Sequence, residues 1–188
     1  MIGVDEVGRG AWAGPLLVAA VRLNKPIEGL TDSKLLTKRK REALCPLIQA
    51  NADIGFGWMS AGEIDEVGLS EAMRICALRA VTQLRTANDE PIVIDGSVNV
   101  LPGLLNVSFE PKAELTYDAV AAASIVAKVF RDNYMLALGQ KIPEYHFDTH
   151  VGYGTKTHIE ALQIHGTSIW HRHSYKPIKA FADAIIQI

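Results

Sequence analysis

The 188-residue chain predicts an α/β fold: a mixed sheet flanked by helices, with a C-terminal helical subdomain. Three observations carry this. Apolar, partly β-branched runs come first along the chain. Helical and strand patterns then alternate, and after about residue 117 only helical patterns remain. That order lays helices against a sheet around one core. Hydrophobic residues make up 48% and charged residues 21%, an ordinary globular balance. The length suits a single domain over residues 1–188, with about 140–188 as the helical part.

Ile2 to Val4 is a short apolar run leading into Asp5 and Glu6, and it reads as a buried strand that Gly8 and Gly10 break. Ala13 to Leu23 reads as a second strand, with Pro26 and Gly29 forming the next turn. Thr37 is a candidate N-cap for a helix to about Ala50, with Leu44, Leu47 and Ile48 as its apolar stripe and Pro46 as a possible kink. Ile54 to Met59 looks like a third strand. Glu63 to Val67 and Ser70 to Thr86 read as helices, with Ser70 as an N-cap. Ile92 to Ile94 is a buried strand ending at Asp95-Gly96, and Asn106 to Phe109 is a further strand. Tyr117 to Ala137, rich in alanine and free of Gly and Pro, is the strongest helical pattern. Thr155 to His165 is a helix stopped by Gly166, and a last one is expected from Ile178 to Ile186.

Several function classes are disfavoured. No apolar run approaches the ~20 residues of a bilayer span, so no membrane partner is expected. The acidic start lacks the basic-then-apolar pattern of a secretory signal. The two cysteines, Cys45 and Cys76, form no CxxC motif, so the expected setting is a reducing cytoplasm. A net charge of −2 weighs against a non-specific nucleic-acid coat, although five cations crowd residues 34–41 (Lys34, Lys38, Arg39, Lys40, Arg41).

Three carboxylates stand at strand ends: Asp5, Glu6 and Asp95. Strand ends in α/β sheets are where crevices and ligand sites form. Apolar strands that run straight into carboxylates need compensation for the buried charge, and a hard divalent cation would supply it. From spacing alone the same residues read more readily as caps, turn formers or salt-bridge partners, and the carboxylates by themselves do not carry the case. The sequence Gly8-Arg9-Gly10, directly after the acidic pair, would let bare backbone groups approach a sugar. It is not a dinucleotide-binding fingerprint, because the next glycine is Gly14 and no helix follows.

The ordered set Asp5-Glu6-Val7-Gly8-Arg9-Gly10, Asp32-Ser33-Lys34, Ile94-Asp95-Gly96 and Ala121-Ala122-Ala123-Ser124-Ile125-Val126-Ala127-Lys128 resembles the bacterial type 2 ribonucleases H (ribonuclease HII). Arg131-Asp132, Gly152-Tyr153-Gly154-Thr155 and His171-Arg172-His173-Ser174-Tyr175 continue the match to about residue 177. The resemblance implies a ribonuclease H-like fold and a metal-dependent endonuclease that cleaves RNA in RNA–DNA hybrids. It also implies incision 5′ of single ribonucleotides in duplex DNA, leaving 3′-hydroxyl and 5′-phosphate ends, and a place in ribonucleotide excision repair. By the same resemblance Asp5, Glu6 and Asp95 are metal ligands for Mg²⁺ or Mn²⁺, with a two-metal mechanism expected. Gly8, Arg9 and Gly10 read the 2′-hydroxyl, the group that distinguishes RNA from DNA. Tyr153 stacks on the sugar, and its flanking glycines suggest exposure. Lys34 approaches phosphate.

One departure concerns the fourth carboxylate. The family's Lys-Ala-Asp or Lys-Gly-Asp triplet is Lys112-Ala113-Glu114 here, with Ser124 ten residues on. Glu114 is expected to serve as the fourth ligand despite its extra methylene. The alternative is a catalytically weakened nucleic-acid-binding homologue. A third reading, a different metal phosphotransferase, has no use for a 2′-hydroxyl reader. The six histidines between His146 and His173 match no standard zinc spacing and are expected to sit beside a phosphate-binding face. A monomer is expected, and clamp binding stays open.

Overall fold

The computed structural model describes residues 1–84 and 90–185, with side chains through residue 181. Five strands, β1 (Ile2–Val7), β2 (Leu16–Leu23), β3 (Ala52–Met59), β4 (Ile92–Asp95) and β5 (Val107–Glu110), form one sheet in the order β3-β2-β1-β4-β5. β1 pairs antiparallel with β2 and parallel with β4, and β4 pairs parallel with β5. The sheet is therefore mixed, as the sequence predicts. The helices are α1 (Lys38–Asn51), α2 (Ala61–Val67), α3 (Leu69–Thr82), α4 (Asp118–Lys141), α5 (Phe147–His150), α6 (Lys156–His165) and α7 (Lys176–Ile185). None of the described helices is long and apolar enough to cross a membrane.

Two compact units share the chain. The first comprises Met1–Val7, Leu17–Trp58 and Met73–Val129, and holds nearly all of the sheet. β1 lies at its centre, and every residue of β2 from Leu16 to Val21 is buried, which explains an apolar run without alternation. Gly3 sits where a Cβ would fall 2.2 Å from the Ala119 backbone, so α4 can lie directly on β1. Gly57 does the same for α3: a Cβ there would meet the Cys76 carbonyl oxygen at 1.9 Å. Thr37 caps α1 by accepting the Lys40 N–H, and Pro46 lies inside the helix. The buried stripe of α1 is Cys45 and Ile48, whereas Leu47 is half exposed.

The second unit comprises Gly8–Leu16, Met59–Ala72 and Phe130 onward. Its core packs Ala13, Met135, Leu138, Tyr145, Phe147, Ala161, Leu162 and Ile178. Ser60 and Glu63 close a capping box on α2. Asp65 on that helix accepts the N–H groups of His173 and Ser174 at 2.7 and 2.8 Å. Thr155 caps α6, and Gly166 ends it.

Several element boundaries shift by a few residues from expectation, α4 running on to Lys141 and α7 starting at Lys176, and at two the cause is plain. The second strand starts at Leu16 rather than Ala13, because Pro15 has no N–H for a ladder and Gly14 turns at φ +81°. Ala13 instead forms an isolated antiparallel bridge with His171. Ser70 is no N-cap: Gly68, at φ +81°, ends α2, and its carbonyl already accepts the Ala72 N–H at 2.9 Å. α3 thus begins at Leu69 and ends at Thr82; Thr86 and Ile186, the expected ends of two helices, lie outside the described residues.

Candidate active site

In the first unit the strand register assembles the carboxylates. Val4 pairs with Ile94 across β1 and β4, so the next step along two parallel strands sets Asp5 beside Asp95. Gly3 faces the Ala119–Val120 backbone of α4. Two residues along a strand advance ~6.6 Å and five along a helix ~7.5 Å, so Asp5 comes level with Ser124. The Ser124 hydroxyl hydrogen-bonds the Asp5 carboxylate and lies 2.8 Å from the Ser33 hydroxyl. Asp5 also accepts the Glu6 N–H at 2.7 Å.

The fourth carboxylate arrives from a short helical turn, Ala113–Leu115, that follows β5. Asp95 accepts the Ala113 N–H at 3.1 Å and shares a hydrogen bond with the Glu114 carboxyl. Glu114 is buried, 6% exposed, and its Oε2 has no hydrogen-bond partner.

The electrostatics follow from burial among like charges. Burial, then the Glu6 charge and then Asp95, hold the Asp5 carboxyl well above the usual carboxylate range, against the pull of Ser124 and the Glu6 N–H. Burial likewise raises Glu114, and Asp95 and Asp32 add to it. Lys34 answers this field. Desolvation works against its charge, but the charges of Asp32, Asp5, Glu114 and Asp95 outweigh it and raise the ammonium. Asp32 also fixes this loop by accepting the Lys34 N–H at 2.9 Å.

An all-oxygen donor set, carboxyls that repel one another and an inward carboxylate oxygen without a donor fit a hard divalent cation. Among the described residues no three His, Cys, Asp or Glu side chains stand as a finished metal cage. The acidic cluster is a shared electrostatic neighbourhood and not a closed ligand shell.

The second unit holds Gly8, Arg9, Gly10 and Tyr153. A Cβ on Gly8, at φ +86°, would lie 2.2 Å from Arg131 Nε, whereas one on Gly10 would meet nothing within 4 Å. Gly8 is thus a packing glycine, and the loop's open backbone is at Gly10. The glycines flanking Tyr153 are packing residues too: Gly152 lies against the Ala13 carbonyl and Gly154 against the Trp12 ring. They do not serve exposure, and Tyr153 itself is half-buried.

Arg131 and Arg172 are fully buried, and they donate to backbone carbonyls and one hydroxyl. Arg131 donates to Pro15 at 2.8 Å, Val151 at 2.9 Å and Ala13 at 3.2 Å. Its guanidinium stands 5.6 Å from the centre of the Tyr153 ring. Arg172 donates to the Gly14 carbonyl from two nitrogens, and to the Arg9 carbonyl and the Tyr175 hydroxyl. Burial pulls Arg131 down to about 10, which leaves it charged at neutral pH.

The sequence suggested histidines beside a phosphate-binding face, and three of the six are withdrawn into the interior. His150, His158 and His171 are buried, and hydrogen bonds to backbone groups fix their tautomers. Ser168 N–H donates to His171 Nδ1 at 2.9 Å. His171 Nε2 therefore carries the proton and donates to His158 Nε2 at 3.1 Å. His158 Nδ1 then donates to the Tyr153 carbonyl at 2.9 Å. Burial holds His158 down at about 4 and His171 at about 3, so both are neutral at physiological pH.

Ser124, Asp32, Arg131, Arg172, His158 and His171 thus join the predicted residues. All but His158 stand in the motifs that carry the family resemblance, but nothing in those motifs shows that carbonyls converge on the arginines.

The fold has solved counterparts. The ribonuclease H2 of Pyrococcus horikoshii OT3 matches with a TM-score of 0.80 at 28% identity, covering 100% of this chain and 99% of that one. A ribonuclease HIII (Bst) solved in complex with Mn²⁺ matches with a TM-score of 0.75 at 21% identity, covering 100% of this chain and 70% of that one. Sheet order and neighbours define a nuclease of the ribonuclease H fold. The family model described as Ribonuclease HII matches residues 2–178. A Ribonuclease HII from Shewanella loihica is 46% identical over 97% of this chain and 89% of its own length. The chain belongs to the ribonuclease HII family: endoribonucleases, dependent on divalent cations, that cut the RNA of RNA–DNA hybrids.

Proposed function

We propose that this ribonuclease also incises duplex DNA 5′ of a single embedded ribonucleotide, leaving 3′-hydroxyl and 5′-phosphate ends, and that Asp5, Glu6, Asp95 and Glu114 hold the required Mg²⁺ or Mn²⁺. The observation that carries the metal assignment is the buried Glu114 Oε2 without a donor, on a carboxyl that shares a hydrogen bond with Asp95. Glu114 has reached its neighbours despite the extra methylene, which favours an active enzyme over a weakened binding homologue.

Bound at these carboxylates, a pair of divalent ions would activate water and stabilise the leaving oxygen of the scissile phosphodiester. The residues' own work is separable. Ser124 and the Glu6 N–H stabilise the ionised form of Asp5, the form that can ligate. Lys34, raised by the surrounding acids, offers a cation to an approaching phosphate. Gly10, open on its Cα face, and the half-buried Tyr153 are suited to backbone and ring contact with a ribose, with Gly8 and Arg9 shaping the loop. No side chain is required to form a covalent intermediate; Cys45 and Cys76 are buried free thiols.

The test is incubation of the protein with duplex DNA holding one ribonucleotide, with and without Mg²⁺ or Mn²⁺. A cation-dependent nick directly 5′ of the ribonucleotide, extendable by a polymerase from its 3′-hydroxyl, is the expected result. Binding of that duplex without nicking in either metal would establish the weakened homologue instead.

A further inference from the structure

Arg131 is a fully buried cation in the second unit, and its position is unusual. One side of its guanidinium group collects the carbonyls of Ala13 and Pro15, which continue the chain from Gly8-Arg9-Gly10. Another nitrogen takes the Val151 carbonyl, two residues before Tyr153. Its plane stands over the Tyr153 ring at 5.6 Å. The Gly8 backbone is pressed so closely on Nε that a Cβ would fall 2.2 Å away. A single side chain therefore packs against the glycine loop at Gly8, two residues before Gly10, and faces the Tyr153 ring.

Arginine is suited to this and lysine is not. Five donors in a rigid plane can fix three carbonyls in one geometry while the face stays available to an aromatic ring. Drawing the Ala13, Pro15 and Val151 carbonyls inward also places a fixed positive charge beneath the loop, which favours an anionic substrate above it.

We propose that Arg131 is a positioning residue for ribose recognition, which locks the glycine loop and Tyr153 into one register. This rests on the reading of Gly10 and Tyr153 as the ribose reader. Loosening the lock would displace the reader by a fraction of an ångström to an ångström, a displacement that costs orders of magnitude when a reacting bond must be aligned. A duplex with one ribonucleotide offers one register only. A continuous hybrid offers a ribose at every step and tolerates the slack better.

The experiment compares the full chain with Arg131→Lys, Tyr153→Ala and the double variant, in saturating Mn²⁺. Circular dichroism and thermal melting establish folding, and hydrogen exchange follows residues 8–15 and 151–155. For Arg131→Lys the expected result is a loss of kcat of at least ~10-fold on the single-ribonucleotide duplex, against ~3-fold or less in KM and on a continuous hybrid. Exchange should rise in the two segments while residues 118–129 stay protected. Tyr153→Ala should cost much less in the Arg131→Lys background than in the parent. Parent-like activity, multiplicative losses, or equal losses on both substrates would each overturn the proposal. If Arg131→Lys does not fold, Arg131→Gln takes its place in the same cycle; failure of both to fold would make the residue purely structural and overturn it as well. If Tyr153→Ala alone matches the parent on the single-ribonucleotide duplex, it is the ribose-reader reading that fails, and the coupling falls with it.

Discussion

In the sheet unit, Asp5 and Glu114 are buried against other carboxylates, and Glu114 Oε2 is left without a donor. In the second unit, Arg131, Arg172, His158 and His171 are buried more completely still, and each ring or guanidinium nitrogen has a partner within 3.2 Å. Both regions place ionisable groups out of water, where an uncompensated group costs several kcal/mol. The second resolves the cost internally, by pointing carbonyls at cations and by holding histidines neutral. The first leaves it unresolved. A region that folds around unresolved negative charge is prepared for a cation from outside, whereas one that gives each buried nitrogen a partner is prepared to hold a shape.

The largest effect should come from removing the most frustrated carboxylate. Asp5→Asn keeps the acceptor for the Glu6 N–H but deletes the charge. Its nuclease activity should fall by about 10²–10³-fold or more. Without divalent cations its unfolding free energy should rise, on the order of 1 kcal/mol, because a buried repulsive charge has gone. Mn²⁺ should then raise the melting temperature of the parent but not of the variant. A destabilised variant in metal-free buffer would contradict the comparison directly.

Acid should act on the two regions with opposite signs. The histidines have folded-state values depressed to about 4 and about 3, so below the unfolded value of ~6.5 the unfolded chain takes up protons first and stability falls with pH. At pH 5 this amounts to roughly 1–2 kcal/mol per histidine. Asp5 and Glu114 are raised in the folded state, so as pH falls toward ~4 the folded chain protonates first and gains stability. Metal-free denaturant titrations between pH 7.5 and 4.5 should show net destabilisation in the parent. In His158→Gln, whose amide can still donate to the Tyr153 carbonyl, that slope should be reduced. An unchanged slope would mean that His158 is charged in the native state.

Glu114→Gln is expected to lie between these effects and the small ones. It removes the orphaned anionic oxygen while keeping length, so metal-free stability should rise by a few tenths to about 1 kcal/mol. Activity should drop about 10-fold or more and respond less steeply to Mn²⁺ concentration. Glu114→Asp should retain more activity than Glu114→Gln. Equal activity of both variants and the parent would remove Glu114 from the catalytic set.

Much of the sheet unit was legible because its signals are local. Ile2–Val4 and Ile92–Ile94 run straight into carboxylates, and Thr37 sits three residues before the N–H it caps. Parallel pairing of β1 with β4, which sets Asp5 beside Asp95, follows from no local pattern. The packing of the second unit was less legible. Gly8, Gly152 and Gly154 looked like freedom for a ligand, yet their missing Cβ atoms make room for Arg131, Ala13 and Trp12. The histidines read as a group beside a phosphate-binding face because their types are polar, although burial withdraws His150, His158 and His171 and favours their neutral forms. The apolar stripe of α1 was expected to include Leu47, which is half exposed, while Cys45 is buried, because hydrophobicity alone does not settle which side of a helix a sheet will cover.

The smallest effect is expected at Ser124, a side-chain hydroxyl that eases the Asp5 carboxylate. Ser124 hydrogen-bonds Asp5 and lowers it, and its hydroxyl stands 2.8 Å from that of Ser33. Ser124→Ala removes the donor without altering helix propensity adversely, so Asp5 should climb further from its ordinary value. Binding a cation requires the ionised form, so the acidic limb of the activity profile should move toward higher pH by up to about one unit. At pH 6 the loss should be a few-fold to about 10-fold, shrinking at pH 8 where deprotonation is no longer limiting. Ser33→Ala, one hydroxyl further away, should move the limb less. A Ser124→Ala profile that is lower by the same factor at every pH would show that the hydroxyl serves packing alone, and that the frustration at Asp5 is set by the other carboxylates.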